Sequence, residues 1–293
     1  MRSLLFVPAD SPRKIEKALE SAADAIILDL EDSVAPAGKE SARRLAAQTL
    51  QEAGQNPRGP KLLVRINALD TPWCDGDLDA ICAARPYAIM LPKSGGGDDV
   101  QHLGAKLAVR EAEAGLADGE IRILPIVTET AYGVLRLATY RGASRRLFAM
   151  TWGAEDLAVD LGVASNRDEG GAVTGPFALA RNLMLMAAAS AQADAIDTVY
   201  PAFRDSAGFR QECALARRDG FTGKMAIHPD QVAIINEIFS PTQADIARAQ
   251  AIVAAFEAQP EAGVLSHDGK MIDRPHLRAA MRLLARMKML AST

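Results

Sequence analysis

The sequence predicts an α/β protein in which eight βα units close into a (β/α)8 barrel, followed by a helical extension. Two features lead to this prediction: eight short apolar runs recur along the chain, and longer segments with helical periodicity separate them. Most of these runs are continuous rather than alternating, which is typical of parallel strands buried on both faces. A length of 293 residues also suits a single barrel. An open, doubly wound sheet is the alternative fold.

The predicted strands follow one another along the chain: Leu4–Pro8, Ala25–Leu30, Lys61–Ile66, Ala88–Pro92, Ile121–Val127, Arg146–Met150, Ile196–Tyr200 and Lys224–Ile227. After the eighth run, Thr242–Ala258 and Pro275–Leu290 have the pattern of helices, and Gln259–Arg274 reads as a loop between them. We therefore predict a barrel domain over residues 1–240 and a helical extension, acting as an appendage or lid, over residues 241–293.

Composition and charge argue against several classes of protein. The formal net charge is −4 and the Lys and Arg residues are scattered, so the basic stripe of a nucleic-acid-binding protein is missing. The N-terminal apolar run is too short for a signal peptide, and no stretch reaches the length of a membrane span. Cys74, Cys82 and Cys213 have no metal-binding spacing and suit reduced thiols. A cytoplasmic location is the resulting expectation.

Two carboxylate-bearing segments follow neighbouring strands of the predicted barrel. Thr151–Leu157 (T-W-G-A-E-D-L) carries Glu155 and Asp156, and Ile121–Thr130 ends with Glu129. If the fifth and sixth strands are adjacent and parallel, their carboxyl ends bring these groups to one rim, where barrel enzymes build their sites. Oxygen ligands without nearby nitrogen or sulfur favour Mg²⁺, with Mn²⁺ as the other candidate ion.

Further polar side chains follow the other predicted strands: Asp29, Glu31 and Asp32 after the second, Arg65 and Asn67 after the third, Lys93 and Ser94 after the fourth, and His228 after the eighth. A barrel places all of these ends on one face. Such a concentration of carboxylates with an Arg and a Lys is more than solvation requires, so we interpret it as a functional site. Arg65 would also need a carboxylate partner if it faces the barrel interior, supplied by the acidic cluster or by a substrate.

Structural roles remain open for several of these residues. Glu31 and Asp32 could cap the next helix or pair with Lys39 and Arg43. Lys93 could be a counter-ion to Glu31 or Asp32, and His228 could simply bond to the backbone.

The motifs together resemble the citrate lyase β-subunit-like branch of the HpcH/HpaI aldolase superfamily, the CoA-ester lyases. The resemblance rests on an ordered set of segments: R-S-L-L-F-V-P near the start, D-L-E-D-S-V at 29–34, V-R-I-N at 64–67, P-K-S at 92–94, E-T at 129–130, G-A-E-D-L at 153–157, G-K-M-A-I-H-P at 223–229 and M-I-D at 271–273. Each motif alone is weak, but their order over nearly the whole chain is specific.

This resemblance implies a TIM barrel that holds Mg²⁺ through Glu129 and Asp156, with Arg65 binding the oxo acid or the thioester oxygen. It implies CoA contacts from Phe6, Arg13, Lys17, Ile227 and His228. It also implies a homotrimer (or hexamer) in which the C-terminal segment covers a neighbouring site and supplies Asp273 as the catalytic acid/base. Glu31, Asp32 and Lys93 would then orient the waters of the metal.

The predicted activity is reversible carbon–carbon cleavage of a 3-hydroxyacyl-CoA, such as malyl-CoA or citramalyl-CoA, into acetyl-CoA and a 2-oxo acid. Alternative enzymes are a citrate lyase β subunit acting on a carrier-protein thioester and a pyruvate-releasing aldolase that needs no CoA. A catalytically silent metabolite-binding protein is the alternative from another class. Asp273 argues against it, because a binding protein needs no acid/base. Asp273 could also simply cap the last helix, since Pro275 follows closely.

Overall fold

The structure, a computed structural model, describes residues 1–54, 56 and 58–291. The chain divides into two compact units, Met1–Glu237 and Ile238–Thr293. Across the described residues, none of the helices has both the length and the apolar character that a membrane crossing requires. The cytoplasmic location stays a prediction.

One parallel sheet forms the centre of the first unit. Its strands are β1 (Ser3–Pro8), β2 (Ala25–Asp29), β3 (Lys61–Arg65), β4 (Ala88–Leu91), β5 (Arg122–Pro125), β6 (Ala149–Thr151), β7 (Asp194–Asp197) and β8 (Gly223–Ala226). The helices that follow them are α1 (Pro12–Leu19), α2 (Lys39–Ala53), α3 (Cys74–Ile81), α4 (Gly97–Glu113), α5 (Ala131–Leu135), α6 (Glu155–Leu161), α7 (Gly175–Ala191), α8 (Ser206–Asp219) and α9 (Pro229–Phe239).

The strands close into the predicted barrel. Hydrogen-bonded neighbours run in the order β5-β4-β3-β2-β1-β8-β7-β6, and every pair is parallel. Parallel bridges between Ile123 and Leu147 and between Ile126 and Thr151 join the two ends of this order. The (β/α)8 fold class is therefore confirmed. The largest changes in strand boundaries are three residues: β6 begins at Ala149 rather than at the predicted Arg146, and β7 ends at Asp197 rather than at the predicted Tyr200.

The barrel interior is filled by side chains that alternate along each strand, because successive residues of a strand face opposite sides. The buried interior cluster consists of Leu4, Ala25, Ile27, Leu63, Ala88, Met90, Leu124, Ile126, Ala149, Ile196 and Met225. Small and large residues mix in this cluster, which lets the layers interlock without a pore. The ends of the strands therefore border a packed interior rather than an open channel.

A buried charged cluster lies on the other side of the strands, facing the helices. Asp197 follows the interior residue Ile196 and so points outward, toward Lys224 on β8 and Glu212 on α8. The Lys224 ammonium lies 2.8 Å from both carboxylates, and Trp152 Nε1 donates to Asp197 over 2.7 Å. Burial acts to raise the pKa of Asp197, but the charges of Lys224 and Arg181, together with the hydrogen bonds from Lys224 and Trp152, outweigh it and the pKa is lowered.

The second unit contains α10 (Gln243–Ala258), an antiparallel hairpin of β9 (Val264–His267) and β10 (Lys270–Asp273), and α11 (Arg274–Ala291). The prediction of a loop over Gln259–Arg274 is therefore wrong. Asp268 and Gly269 have φ values of 49° and 71°, as a two-residue hairpin turn requires. The Asp-Gly pair is the sequence signal for this turn. Thr242, the first residue of the predicted helix, is the N-cap of α10 and forms a capping box with Asp245.

We expect Lys224→Met to lower the free energy of unfolding by about 3 kcal/mol, because a buried carboxylate would lose its ammonium partner. Asp197 would retain only Trp152 and a 3.3 Å contact to Arg181. Guanidinium denaturation followed by circular dichroism measures the change. Arg44→Met is the matched control, because its pair with Glu40 is 70% and 78% exposed and contributes little. Equal stability of the two variants would contradict this view of the cluster.

Candidate active site

Three interior side chains at the ends of β1, β2 and β3 form one wall of the barrel mouth. Asp29 and Arg65 face each other in the strand register, and Arg65 Nε and Nη2 each donate to an Asp29 oxygen over 2.7 Å. The Phe6 ring packs against this guanidinium, with 5.1 Å between Cζ and the ring centroid. Arg65 thus has the buried carboxylate partner that an interior arginine needs.

Glu31 links Arg65 to Lys93 across the mouth. Arg65 Nη1 lies 2.8 Å from Glu31 Oε2, and the Lys93 ammonium donates to Glu31 Oε1. Glu31 is 5% exposed, and desolvation raises its pKa despite both cations. Asp32 is more open and lies 3.8 Å from both Arg65 and Lys93. The role of Lys93 as a counter-ion, left open by the sequence, therefore coexists with its place in the site.

Lys39 holds the loop that carries Glu31 by hydrogen bonds to its backbone. The Lys39 ammonium is buried and donates to the Leu30 carbonyl, the Glu31 carbonyl and Asn67 Oδ1 over 2.7–2.8 Å. Lys39 therefore contacts the backbone of this loop rather than the Glu31 carboxylate. Arg43, the other suggested partner, pairs instead with Asp77 at 2.7 Å. Lys39 and Asn67 therefore support the site, and the sequence does not indicate that Lys39 acts through the backbone carbonyls of the loop.

Glu129 lies at the end of β5 with only 3% of its surface exposed. Desolvation raises its pKa to about 8, the charges of Asp156 and Glu31 add to the rise, and the backbone N–H of Lys93 opposes it by donating to Oε2. Lys93 adopts a left-handed backbone conformation with φ 51°, which is costly for a residue with a side chain. That conformation aims the Lys93 amide at Glu129.

Gly153, in the G-A-E-D motif, leaves the space that Glu129 occupies. A Cβ at this position would approach Glu129 Cγ to 2.7 Å, closer than real Cβ contacts allow. A side chain at residue 153 would push Glu129 out of place. The glycine is therefore required by close approach, a reason that only the three-dimensional structure reveals.

Asp156 and Glu155 begin α6, but they point to different partners. Asp156 Oδ1 lies 3.7 Å from the Lys93 ammonium, and its charge acts on Glu129. Glu155 Oε1 accepts a hydrogen bond from Asn166 over 2.9 Å. Asp156 is therefore the one of the two that belongs to the charged group at the mouth.

A cavity of about 1170 Å³ connects this mouth with a groove along α1. Its wall includes Phe6, Arg65, Glu129 and Asp156 at one end and Lys14 and Lys17 on α1 at the other. Arg13 lies on the exposed surface of α1, outside this wall, where Lys14 stands instead.

The loop after β8 forms another part of the cavity wall. Ile227 and His228 both line it. The His228 ring stacks on Phe203 with 4.9 Å between centroids. Buried Gln231 holds the loop: its Oε1 accepts the backbone N–H groups of Ile227 and His228 over 2.8 and 3.2 Å. Gln231 could not be singled out in the sequence, because nothing distinguishes it from other glutamines on a helix.

Asp273 is the last residue of β10 and directly precedes α11. Its Oδ1 lies 3.4 Å from the backbone nitrogen of His276 and 2.5 Å from the His276 ring nitrogen Nδ1. The first contact matches the capping role left open by the sequence.

The donor set at the mouth suits a hard divalent ion. Within residues 1–54, 56 and 58–291, no three His, Cys, Asp or Glu side chains are grouped to hold a metal by themselves. Glu129 and Asp156 offer two carboxylates, and Mg²⁺ typically uses one or two together with waters and substrate oxygens.

Carboxylates, an arginine and a lysine lie together at the carboxyl ends of the strands of this parallel barrel. Barrel enzymes build their active sites on that face, so the fold and the site together define a barrel enzyme. The model of the HpcH/HpaI aldolase/citrate lyase family matches residues 2–229. The chain belongs to this family. Members of the family are lyases, so the predicted class of enzyme is confirmed.

Two curated relatives span nearly the whole chain. A (3S)-malyl-CoA thioesterase of Cereibacter sphaeroides is 39% identical over 99% of this chain and 96% of its own length. The citrate lyase β subunit of Leuconostoc mesenteroides is 35% identical over 97% of this chain and 92% of its own. The CitE protein of Mycobacterium tuberculosis, solved in complex with magnesium, acetoacetate and coenzyme A, is 33% identical with a TM-score of 0.75, covering 97% of both chains. Its bound magnesium agrees with the ion predicted for this family.

Proposed function

We propose that this protein cleaves, or in reverse forms, the carbon–carbon bond of a 3-hydroxyacyl-CoA thioester, with acetyl-CoA and a 2-oxo acid such as glyoxylate or pyruvate as the other reactants. The observation that carries the proposal is one continuous cavity. Its wall joins Glu129, Asp156 and Arg65 at the barrel mouth to Lys14 and Lys17 on α1. The first group suits an oxo acid with a metal ion, and the second suits the phosphates of a long acyl carrier.

Glu129 and Asp156 would hold Mg²⁺, with Mn²⁺ as a possible substitute. Their mutual repulsion, which contributes to the raised pKa of Glu129, is relieved when a cation lies between them. Bound Mg²⁺ would act as a Lewis acid on the substrate oxygens next to the bond that breaks. Glu31, Asp32 and Lys93 stand around this position and would orient its waters.

Arg65 would stabilise the negative charge that develops on the substrate. Asp29 takes Nε and one hydrogen of Nη2, and Glu31 lies 2.8 Å from Nη1. A guanidinium has five N–H groups, so one on Nη1 and one on Nη2 remain for an oxygen in the cavity. The pair with Asp29 also fixes the guanidinium plane before substrate arrives, so reorganisation during the reaction is small.

Asp273 would donate a proton to the enolate carbon in cleavage and remove a proton from the same carbon in condensation. In cleavage a water at the barrel mouth takes the proton of the 3-hydroxyl, whose oxygen becomes the carbonyl oxygen of the 2-oxo acid. The carbon–carbon bond breaks, and its electrons form the enolate of the acyl-CoA. The proton from Asp273 then completes the methyl group of acetyl-CoA. We propose that the second unit brings Asp273 to the site as a lid and excludes water from the enolate.

Thioester hydrolysis is the second candidate activity, because the Cereibacter relative is named a malyl-CoA thioesterase. It uses the same substrates but releases a hydroxy acid and CoA instead of an oxo acid and acetyl-CoA. A citrate lyase β subunit, supported by the Leuconostoc relative, would require a carrier-protein thioester. The pyruvate-releasing aldolase and the silent binding protein remain as outcomes of the same test.

The decisive experiment incubates the protein and Mg²⁺ with malyl-CoA, methylmalyl-CoA, citramalyl-CoA and a citryl carrier-protein thioester, and identifies the products by mass spectrometry. We expect acetyl-CoA or a homologue together with a 2-oxo acid from one of the CoA esters. Free CoA with an intact hydroxy acid would instead establish hydrolysis. Turnover of the carrier thioester alone would favour the citrate lyase reading. No turnover of any thioester would overturn the proposal.

We expect Glu129→Gln and Asp156→Asn to weaken Mg²⁺ binding at least tenfold, because each removes one of two anionic ligands. Isothermal titration of the purified variants with MgCl₂ measures the change independently of turnover. Glu155→Gln is the matched control, since Glu155 is the adjacent carboxylate and is held by Asn166. Unchanged affinity in Asp156→Asn, with weaker binding in the control, would reassign the ligand to Glu155.

We also propose that the chain forms a homotrimer or hexamer. Leu135, Val159, Leu179 and Met186 are 86%, 83%, 58% and 67% exposed, and they lie on α5, α6 and α7, of which α5 contacts the other two. An apolar surface of this kind is typical of an interface. We expect Leu135→Glu combined with Leu179→Glu to reduce the mass measured by light scattering, whereas Val109→Glu on α4 should not. An unchanged mass would exclude this surface as the interface.

A further inference from the structure

The main chain at Asp273 is fixed on both sides of the residue. Asp273 pairs with Val264 across the hairpin, and α11 begins at the next residue. Its neighbour Ile272 is only 3% exposed and packs in a core cluster with Ile252 and Phe256. Anchors of this kind hold the Cα atom, but they do not decide where the carboxylate points.

His276 decides that orientation. It lies one helical turn further along, and its ring nitrogen Nδ1 is 2.5 Å from Asp273 Oδ1. The backbone N–H of His276 also points to Oδ1, over 3.4 Å. Both contacts engage the same oxygen. No other side chain in the described ranges bonds to Oδ2, which leaves that oxygen for an external group.

We propose that His276 is the positioning residue for Asp273, holding Oδ1 so that Oδ2 is presented to the substrate carbon. The inference rests on the acid/base role given to Asp273 in the proposed function. His276 does not itself touch the substrate. It removes rotamer freedom from the carboxylate before the substrate is bound, and such orientation accounts for much of the rate of a positioned acid/base.

Helix capping alone does not account for the histidine. A capping aspartate needs only the backbone N–H of the second or third helical residue, whatever its side chain. Here that backbone contact is the longer of the two, and the short one comes from the imidazole nitrogen Nδ1, which also lies 3.3 Å from the backbone nitrogen of Asp273. The hydrogen bond from His276 is also the main reason that the pKa of Asp273 is lowered. The lowered pKa favours the ionised carboxylate, the form that accepts a proton from carbon in condensation, whereas cleavage needs the protonated form.

The test is a double-mutant cycle in the full-length enzyme with malyl-CoA and Mg²⁺. We expect His276→Ala to lower kcat about ten- to a hundredfold, the usual effect of a misplaced reacting group, with KM changed less than threefold. His276→Asn keeps a short donor three residues after Asp273 and should recover most of kcat. Because His276 acts through Asp273, the double variant Asp273→Asn/His276→Ala should be no slower than Asp273→Asn alone. His267→Ala is the matched control: His267 lies in the same unit, 3.5 Å from Asp268, and should turn over normally.

A second readout is independent of turnover. The ring ¹⁵N shifts of His276 report its tautomer, and we expect Nδ1–H in the wild type and a change in Asp273→Asn. Identical shifts in both proteins, or a kcat of His276→Ala within twofold of the wild type while Asp273→Asn is inactive, would overturn the role of His276. Additive losses in the cycle would also overturn it. The same cycle applies to methylmalyl-CoA or citramalyl-CoA if the wild type turns over one of these instead of malyl-CoA. Normal turnover of Asp273→Asn, or no turnover of any of the three CoA esters by the wild type, would count against the proposed function, and the ¹⁵N shifts would still decide whether the pair exists.

Discussion

The bidentate pair between Arg65 and Asp29 is the interaction on which the barrel mouth depends. A guanidinium inside a barrel is costly unless a carboxylate meets it with good geometry, and the register of β2 and β3 places the two residues directly opposite each other. Arg65 Nη1, the nitrogen that does not bond to Asp29, pairs with Glu31, and Glu31 in turn pairs with the ammonium of Lys93. The order of charges around the rim follows from this first contact.

The charge at the mouth is not balanced by these pairs. Five carboxylates, those of Asp29, Glu31, Asp32, Glu129 and Asp156, gather near three cationic side chains, those of Arg65, Lys93 and Lys39. Two negative charges are therefore left over, both in a region where burial weakens screening by water. Glu129 and Asp29 are equally buried, at 3% exposure each, but the pKa of Asp29 is lowered and that of Glu129 is raised. Glu129 therefore identifies the point where a divalent ion would relieve the repulsion within the group.

The sequence predicted the barrel well because the relevant signals are local. Continuous apolar runs mark β1 to β8, and the polar residues that follow them reach one rim whatever the details of packing. The supporting contacts were not predictable in the same way. Lys39 and Lys224 look like ordinary surface lysines, and only the tertiary structure shows that one binds loop carbonyls and the other a buried carboxylate. Gly153 looks like a loop glycine until the position of Glu129 is known. The prediction misses the hairpin of β9 and β10, because an Asp-Gly pair also fits a loop and the strands on either side of it are short.

That hairpin has an entropic consequence for Asp273. Ordering a free loop costs about 1–2 kcal/mol for each residue whose backbone becomes fixed. For residues 264–273 the loss of backbone entropy takes place when the protein folds, because ladder hydrogen bonds and the buried Ile272 hold them in place. The two-residue turn at Asp268–Gly269 further restricts the backbone conformations of this segment. The carboxylate of Asp273 therefore belongs to a preformed body, and substrate binding energy need not be spent on assembling it.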